Sequence, residues 1–183
     1  MSAVCPNDPP TFVDLQGYIL NNQFIVKEAA ILRRGFIVSH YFFACPVPWY
    51  LLTKSERRQA SWLVHNHHGL QWEDGNVPYS MAQRLITTAI IGGIHDEEES
   101  SSLVYVKGLE KREWLTEILD DAGNGFNIET LDAYYEDIPA LSKLDPTYSL
   151  RCEKHVKNCA LQNVFKLFNW WSQRQKELED LEK

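Results

Sequence analysis

Apolar residues in the first part of the chain fall into three runs that predict β-strands. The runs cover residues 11–20, 24–32 and 36–44. Asn21 and Asn22 separate the first two runs, and Arg33-Arg34-Gly35 separates the second from the third. These residue types form tight turns, and connections this short join neighbouring strands in opposite directions. The pattern therefore predicts a three-stranded antiparallel meander.

The rest of the chain alternates between helical and strand patterns. Helical patterns cover residues 53–64, 80–91 and 110–122, and strand patterns cover residues 103–106 and 126–131. Thr53 or Ser55, followed by Glu56, is a start signal for the first helix. The run 103–106 is fully apolar, which is typical of a buried parallel strand, and residues 126–131 (FNIETL) predict another buried strand. The order of elements predicts an α/β fold, in which a mixed sheet of three antiparallel and two parallel strands is flanked by helices.

Residues 150–171, with the sequence LRCEKHVKNCALQNVFKLFNWW, predict a final amphipathic helix. They contain no Pro or Gly, and apolar residues recur at the helical period. At about 100° per residue, a helix would bring Cys152, His155 and Cys159 onto one face. Two thiolates and an imidazole are three of the four donors that a tetrahedral zinc ion needs. The same spacing also suits two buried cysteines and a hydrogen-bonded histidine, so a fourth donor has to decide between these interpretations.

Length and cysteine content predict one domain in a reducing compartment. We expect residues 1–10 to be a flexible lead-in, residues 11–172 a single domain, and residues 173–183 a charged C-terminal tail. The four cysteines are too few and too unevenly placed for a disulfide framework. The chain has no apolar run long enough for a membrane span, and its first residues do not have a signal-peptide pattern. These features favour a cytoplasmic or nuclear protein with no membrane partner.

The net charge of -7 argues against a protein that coats nucleic acid through overall charge. Local contacts with nucleic acid are compatible with it, because basic residues occur in pairs and aromatic residues occur near them. The candidates for phosphate contacts are Arg33, Arg34, Arg57 and Arg58. Those for base stacking are Trp49, Tyr50, Trp72 and Tyr79, which we expect to be exposed. Three histidines, His65, His67 and His68, could form a second metal site, although such loops are more often exposed.

The order of elements resembles the ribonuclease H-like fold of the DEDDh exonucleases over most of residues 11–171. Residues 12–16 (FVDLQ) are similar to the F-x-D-x-E motif of that family's first strand, and residues 68–70 (HGL) to its H-G-I segment. Residues 103–115 look like the strand and helix that carry its second Asp. Residues 158–163 (NCALQN) stand in the place of its closing H-x-A-x-x-D motif.

Departures from the family's motifs predict that its usual chemistry is lost. The resemblance implies four carboxylates that hold two metal ions, which stabilise the attacking and leaving oxygens. Here Asp14 remains, and the other three carboxylates are replaced by Gln16, Lys111 and Asn163. Asn158 stands where the family has its general-base histidine. A single carboxylate cannot assemble a two-magnesium site, so we expect a catalytically degenerate protein.

One branch of this fold, the Maelstrom domain, also lacks the four carboxylates and has a Glu-Cys-His-Cys zinc site. Its Glu lies on the second strand, and its C-x2-H-x(n)-C motif lies on the last helix. By this resemblance Glu28, within the sequence KEAAI, is the missing fourth ligand beside Cys152, His155 and Cys159. A buried Glu in an otherwise apolar strand is costly unless it is paired or metal-bound. Four protein ligands leave no open position, so the predicted zinc is structural.

The resemblance implies binding of RNA or single-stranded nucleic acid, a place in the piRNA pathway, and at most a weak ribonuclease activity. Two alternatives stay open. A protein-interaction module is favoured by the acidic charge and by the aromatic cluster of Phe165, Phe168, Trp170 and Trp171. A genuine nuclease would need Asp14 together with Asp132 or Glu129 as replacement ligands.

Overall fold

The computed structural model describes residues 9–92, 103–120, 125–155 and 157–183. Its five strands are β1 (Thr11–Leu20), β2 (Gln23–Arg33), β3 (Ile37–Phe42), β4 (Leu103–Val106) and β5 (Asn127–Thr130). They form one sheet in the order β3-β2-β1-β4-β5. The first three strands pair antiparallel, and β4 and β5 continue the sheet in parallel from β1. The predicted α/β class, with three antiparallel and two parallel strands, is confirmed.

Helices flank this sheet. They are α1 (Lys54–Leu63), α2 (Ala82–Ile91), α3 (Leu109–Leu119), α4 (Leu131–Tyr134) and α5 (Ala160–Leu181). The start of α1 is a capping box: the Thr53 hydroxyl accepts the Glu56 N–H at 3.1 Å, and the Glu56 carboxylate accepts the Thr53 N–H at 2.9 Å. Thr53, rather than Ser55, is therefore the cap. A single π-helical turn, Val64–His68, follows α1 directly.

Alternation along the strands decides which side chains meet which helices. Val13 belongs to the core beneath α2 and α3, whereas Phe12 and Ala30 belong to the core beneath α5. Because successive side chains of a strand point to opposite faces, Asp14 shares a face with Phe12, and Glu28 shares one with Ala30. Both carboxylates therefore lie inside the domain, on the face that α5 covers.

The predicted start of the last helix is wrong. The helix α5 begins at Ala160, not near residue 150, and it continues through most of the predicted tail to Leu181. Residues 150–159 are polar apart from Leu150, Val156 and the two cysteines, so they offer no apolar stripe that packing could hold as a helix. Asn158 has a positive φ of 52°, which interrupts the helical path just before α5.

The aromatic residues of α5 belong to the core. Phe168 and Trp171 each pack against Phe12, with ring centroids 6.0 Å apart, and Trp170 packs against Tyr135. This packing accounts for the aromatic cluster that had favoured an interaction module. Most of the predicted lead-in and the end of the predicted third helix lie outside the described residues. None of the helices in the described ranges is long and apolar enough to cross a bilayer.

Replacing Gly35 by Ala tests the docking of α5 on the β2–β3 turn. Gly35 has φ of +79°, and a Cβ atom there would lie 2.5 Å from Cζ of Phe168. Gly69 is a matched control, because its φ of 71° and ψ of 8° lie in the left-handed region, and among the described residues the nearest atom to a Cβ there is Cβ of His155, at an ordinary 3.8 Å. The left-handed conformation alone costs an L-residue about 1–2 kcal/mol. We expect Gly35→Ala to lower the free energy of unfolding in urea by clearly more than Gly69→Ala. Equal losses would show that α5 does not press on this turn.

Candidate metal centre

Four side chains from distant parts of the chain meet on the α5 face of the sheet. One ligand atom each from Glu28, Cys152, His155 and Cys159 lies within 4.8 Å of all the others. Glu28 comes from the middle of β2, Cys152 and His155 from the loop before α5, and Cys159 is the N-cap residue of α5. Among the residues that the structure describes, this is the group of His, Cys, Asp and Glu side chains that could hold a metal ion.

The distances within this group suit a small tetrahedral ion. The two sulfurs lie 3.5 Å apart, Nε2 of His155 lies 3.0 Å from Oε1 of Glu28, and Sγ of Cys159 lies 4.0 Å from Oε2 of Glu28. A tetrahedral zinc ion with bonds of about 2.0–2.3 Å separates its ligand atoms by about 3.3–3.8 Å. Small side-chain adjustments are therefore enough to bring all four donors to bonding distance. The cluster is close enough to hold a metal ion and is compatible with zinc.

The electrostatics of the cluster favour a positive charge at its centre. Burial raises the pKa of Glu28, but hydrogen bonds from His155 and His40 lower it further, to about 2. Burial lowers the pKa of His155, but the Cys159 sulfur and the Glu28 carboxylate raise it to about 10. The pKa of Cys159 is lowered, despite its burial, by the hydrogen bond with His155. Surroundings that hold a proton on the His155 ring so firmly also favour a metal cation in its place.

Neighbouring groups hold the ligand side chains in position. Nδ1 of His155 donates to the backbone carbonyl of Lys157 at 2.7 Å, which directs Nε2 towards Glu28. His40 lies 2.7 Å from Oε2 of Glu28, and the Ala160 N–H donates to Oε1 at 2.9 Å. Such outer contacts fix the orientation of metal ligands and are a regular part of metal sites. The sequence analysis did not identify His40. Phe42 pairs with Glu28, and His40, two residues before Phe42 on β3, lies on the same face of the sheet.

A loop, and not a helix, brings the three late ligands together. The Cys152 N–H donates to Sγ of Cys159 at 3.3 Å, so the chain closes on itself across seven residues. Asn158 adopts its left-handed conformation at the turn into α5, and its side chain donates to the carbonyl of His67 at 2.6 Å. The predicted convergence of these ligands therefore occurs by a different backbone path. The N-terminal end of α5 adds a favourable partial positive charge beside Glu28 and Cys159.

A second buried carboxylate, Asp14, lies one strand away on the same face. The Lys111 ammonium forms an ion pair with Oδ1 of Asp14. Asn163 donates to Oδ2 at 2.8 Å, and Gln16 donates to the same oxygen at 3.4 Å. Asp14 is fully buried, so these contacts compensate a charge that would otherwise be costly. The structure thus brings together four residues from β1, α3 and α5 at this position.

The alternative nuclease ligands are not assembled around Asp14. Asp132 forms an ion pair with Lys107 and accepts the Gly108 N–H at 2.8 Å. Within the described ranges, neither Asp132 nor Glu129 joins Asp14 in a group that could hold a metal ion. The carboxylate of Asp14 instead forms its ion pair with the Lys111 ammonium group.

The structure places the candidate nucleic-acid residues very differently from one another. The expected exposure of Trp72 is wrong: only 5% of the residue is accessible, its indole N–H donates to Val47 O at 2.9 Å, and its ring packs against Tyr18. Arg33 is also buried, and Arg34 is half-buried. Trp72 is enclosed because it belongs to the core cluster that includes Tyr18 and Leu52, and Arg33 is the last residue of β2. Arg57 and Arg58 are exposed on α1.

The three neighbouring histidines do not form a second metal site. His68 is fully buried, with Nε2 2.9 Å from the carbonyl of Gly17 and Nδ1 accepting the Leu70 N–H at 2.9 Å. Both ring nitrogens are therefore engaged, and burial lowers the His68 pKa to about 4. His65 and His67 are exposed.

The sequence analysis also did not identify the buried Lys27. Its ammonium group donates to the carbonyl of Trp72 at 2.8 Å, so it has a structural role.

The pair of Asp14 and Lys111 predicts a non-additive effect of substitutions. Lys111→Met leaves the buried Asp14 charge without its cation, and we expect a loss of about 3–5 kcal/mol in the free energy of unfolding. Adding Asp14→Asn removes the uncompensated charge, so the double variant should be more stable than Lys111→Met alone. A double-mutant cycle in urea measures this coupling. Additive effects would show that the ion pair is not formed in solution.

Comparison with known proteins leaves the two buried clusters as the basis for a functional argument. No protein-family model matches the chain, and no curated protein matches it. The clusters around Glu28 and Asp14 are therefore the features of the molecule that bear on its function.

Proposed function

We propose that this chain is a catalytically degenerate relative of the DEDDh exonucleases, similar to the Maelstrom domain. In this proposal the chain holds a structural zinc ion and binds single-stranded RNA. One observation carries the proposal. The resemblance equates Asp14, Gln16, Lys111 and Asn163 with the four catalytic carboxylates, and these four residues meet around one point. Lys111 and Asn163 are 97 and 149 positions from Asp14, so they have no local reason to converge on it. The mixed sheet supports the same relationship.

The donor set favours zinc over other ions. Two thiolates and an imidazole suit zinc, whereas magnesium and calcium prefer oxygen ligands. With Glu28 as the fourth donor, all positions of a tetrahedral site are taken by protein, so the ion has a structural role. It would connect the loop before α5 to the middle of β2. The zinc site therefore stabilises the contact between the last helix and the sheet.

Zinc content is the direct test of this site. Cys152→Ser and Cys45→Ser are matched changes, because both cysteines are half-buried and only Cys152 belongs to the cluster. We expect about one zinc ion per chain in the wild type and in Cys45→Ser, measured by elemental analysis of protein purified without chelator. Cys152→Ser should lose zinc affinity by more than the roughly 10–100-fold that loss of an outer contact costs. Its Tm should also fall below that of Cys45→Ser. Wild-type protein without zinc would contradict the proposal.

The proposed loss of exonuclease chemistry follows from the charges around Asp14. Two magnesium ions need several carboxylates, and the single one at this position is already neutralised by Lys111. A binding function needs no such ions. Exposed basic residues on α1 supply contacts for phosphates.

Labelled single-stranded RNA tests binding and catalysis together. We expect the wild-type protein to bind the RNA at low salt and not to degrade it when Mg²⁺ or Mn²⁺ is added. Magnesium-dependent degradation that Asp14→Ala abolishes would overturn the degenerate assignment. Slow cleavage that persists in chelator would correspond to the weak ribonuclease activity that the resemblance implies. Absence of both binding and cleavage would remove the RNA function, and with it the implied place in the piRNA pathway.

A protein-interaction module is the second candidate, and one surface favours it. β3 is the last strand on its side of the sheet, and Phe36 beside it is 73% exposed. Edge strands with exposed apolar residues can pair with another chain. Protein partners that are retained after nuclease treatment, together with no RNA binding, would favour this function over the first.

A further inference from the structure

We infer that single-stranded nucleic acid binds to the outer face of α1, where bases stack on Trp62 and phosphates contact the basic residues beside it. This inference rests on the proposed RNA-binding function and names the surface that performs it. The surface is a shallow concavity of about 490 Å³ on α1 and the π-helical turn that follows. The residues that line it include Lys54, Arg57, Arg58, Trp62, His65 and Asn66.

The helical period aligns these residues into two ridges. Lys54, Arg58, Trp62 and Asn66 are each four residues apart, and Arg57 and His65 lie on the neighbouring ridge. Because the turn after α1 continues the helical path, the ridge is about 18 Å long. It therefore presents cations at one end and an indole ring in the middle, along one nearly straight line.

Trp62 is exposed where the other tryptophans are not. It is 61% accessible, whereas the remaining five are buried or half-buried in the cores described above. Asn66 donates to the carbonyl oxygen of Trp62 at 2.9 Å and holds the backbone of this turn in place. An exposed indole offers a flat aromatic surface on which any base can stack. Trp62 belongs to none of the hydrophobic core clusters that the described residues form.

The charge of this face is opposite to that of the whole chain. The chain has a net charge of -7, yet none of the residues that line the concavity is acidic. Glu56, an acidic residue of α1, is turned away and is engaged with the Thr53 N–H and with Asn21. Arg57 donates to the carbonyl of Tyr50 at 3.3 Å, which orients its guanidinium along the surface. Arginine side chains held in this way suit phosphate oxygens.

The combination of charge and aromatic surface favours a nucleic acid over an acidic peptide. A single strand supplies phosphates and flat bases in alternation, and both have a matching group here. An acidic peptide would use the cations but would leave the indole ring without a partner. Double-stranded nucleic acid hides its bases from stacking, so a single strand fits this surface better.

Fluorescence anisotropy with a labelled single strand of about ten nucleotides tests the inference. The variants are Arg57→Glu/Arg58→Glu and Trp62→Ala. The charge-matched control is Arg84→Glu/Lys176→Glu, whose residues are exposed on α2 and α5. We expect each α1 variant to bind at least about 10-fold more weakly than the wild type, because it loses phosphate contacts or stacking. The control should bind nearly as the wild type does.

Salt dependence separates the two kinds of contact. Each lost phosphate contact should reduce the slope of log K against log salt by about 0.7 for a single strand. Trp62→Ala should leave this slope unchanged while it weakens binding, and Trp62→Phe should restore part of the affinity. Parallel titrations with RNA and DNA of the same sequence show whether the 2′-hydroxyl contributes. Thermal unfolding of each variant confirms that these exposed substitutions leave the fold intact.

The outcomes distinguish this inference from the proposed function. If the wild type binds no single strand, the RNA-binding function itself fails. If the wild type binds and the α1 variants bind equally well, RNA binding stands and this surface is wrong. If a poly-glutamate peptide displaces the strand and Trp62→Ala has no effect, the face binds acidic chains in general, and the assignment to nucleic acid is overturned.

Discussion

The buried carboxylate of Glu28 constrains the rest of this structure. It lies with no solvent exposure in β2, the second strand of the sheet, where an uncompensated charge would cost several kcal/mol. Its compensation comes from across the sheet and from the far end of the chain: His40 on β3, His155 in the loop before α5, and the first N–H of α5 itself. The domain can therefore close only when the last helix begins at Ala160, beside this carboxylate. The position of α5 and the geometry of the cysteine loop follow from that requirement.

Asp14, on the neighbouring strand, is also a buried carboxylate whose charge needs compensation, but its partners are of a different kind. Around Glu28 the partners are thiols and imidazoles, which can release protons and accept a metal ion in their place. Around Asp14 the partner is the Lys111 ammonium, supported by the Asn163 amide. The ammonium group has no lone pair to donate to a metal ion, so it occupies the position without leaving coordination sites. One face of the sheet thus carries a candidate metal centre beside a carboxylate with no open coordination.

In the proposed function, the structural and binding roles belong to different parts of the chain. The two carboxylate clusters are enclosed between the sheet and α5, where they can hold elements together but offer little to a long ligand. The outer face of α1 lies against solvent, whereas its inner side packs on the domain and buries Ala60. Arg58 and Trp62 are exposed on that outer face. In the function proposed above, a chain without its catalytic carboxylates uses this face as its ligand-binding surface.

Local patterns in the sequence determined the strands, the first helix and its capping box, because apolar runs, turn residues and caps act over a few residues. The resemblance to the Maelstrom domain pointed to Glu28, and the cost of an unpaired carboxylate in an apolar strand supported that choice. Tertiary structure alone decided the backbone path from Cys152 to Cys159, because those residues satisfy a carboxylate more than 120 positions away instead of the local helical period. It also decided that Trp72 is buried and Trp62 exposed. Trp62 is followed by Leu63 and Val64, whereas Trp72 lies between Gln71 and Glu73, so the local sequence gives no sign of this outcome. The docking of α1 on the sheet determines which ring meets water.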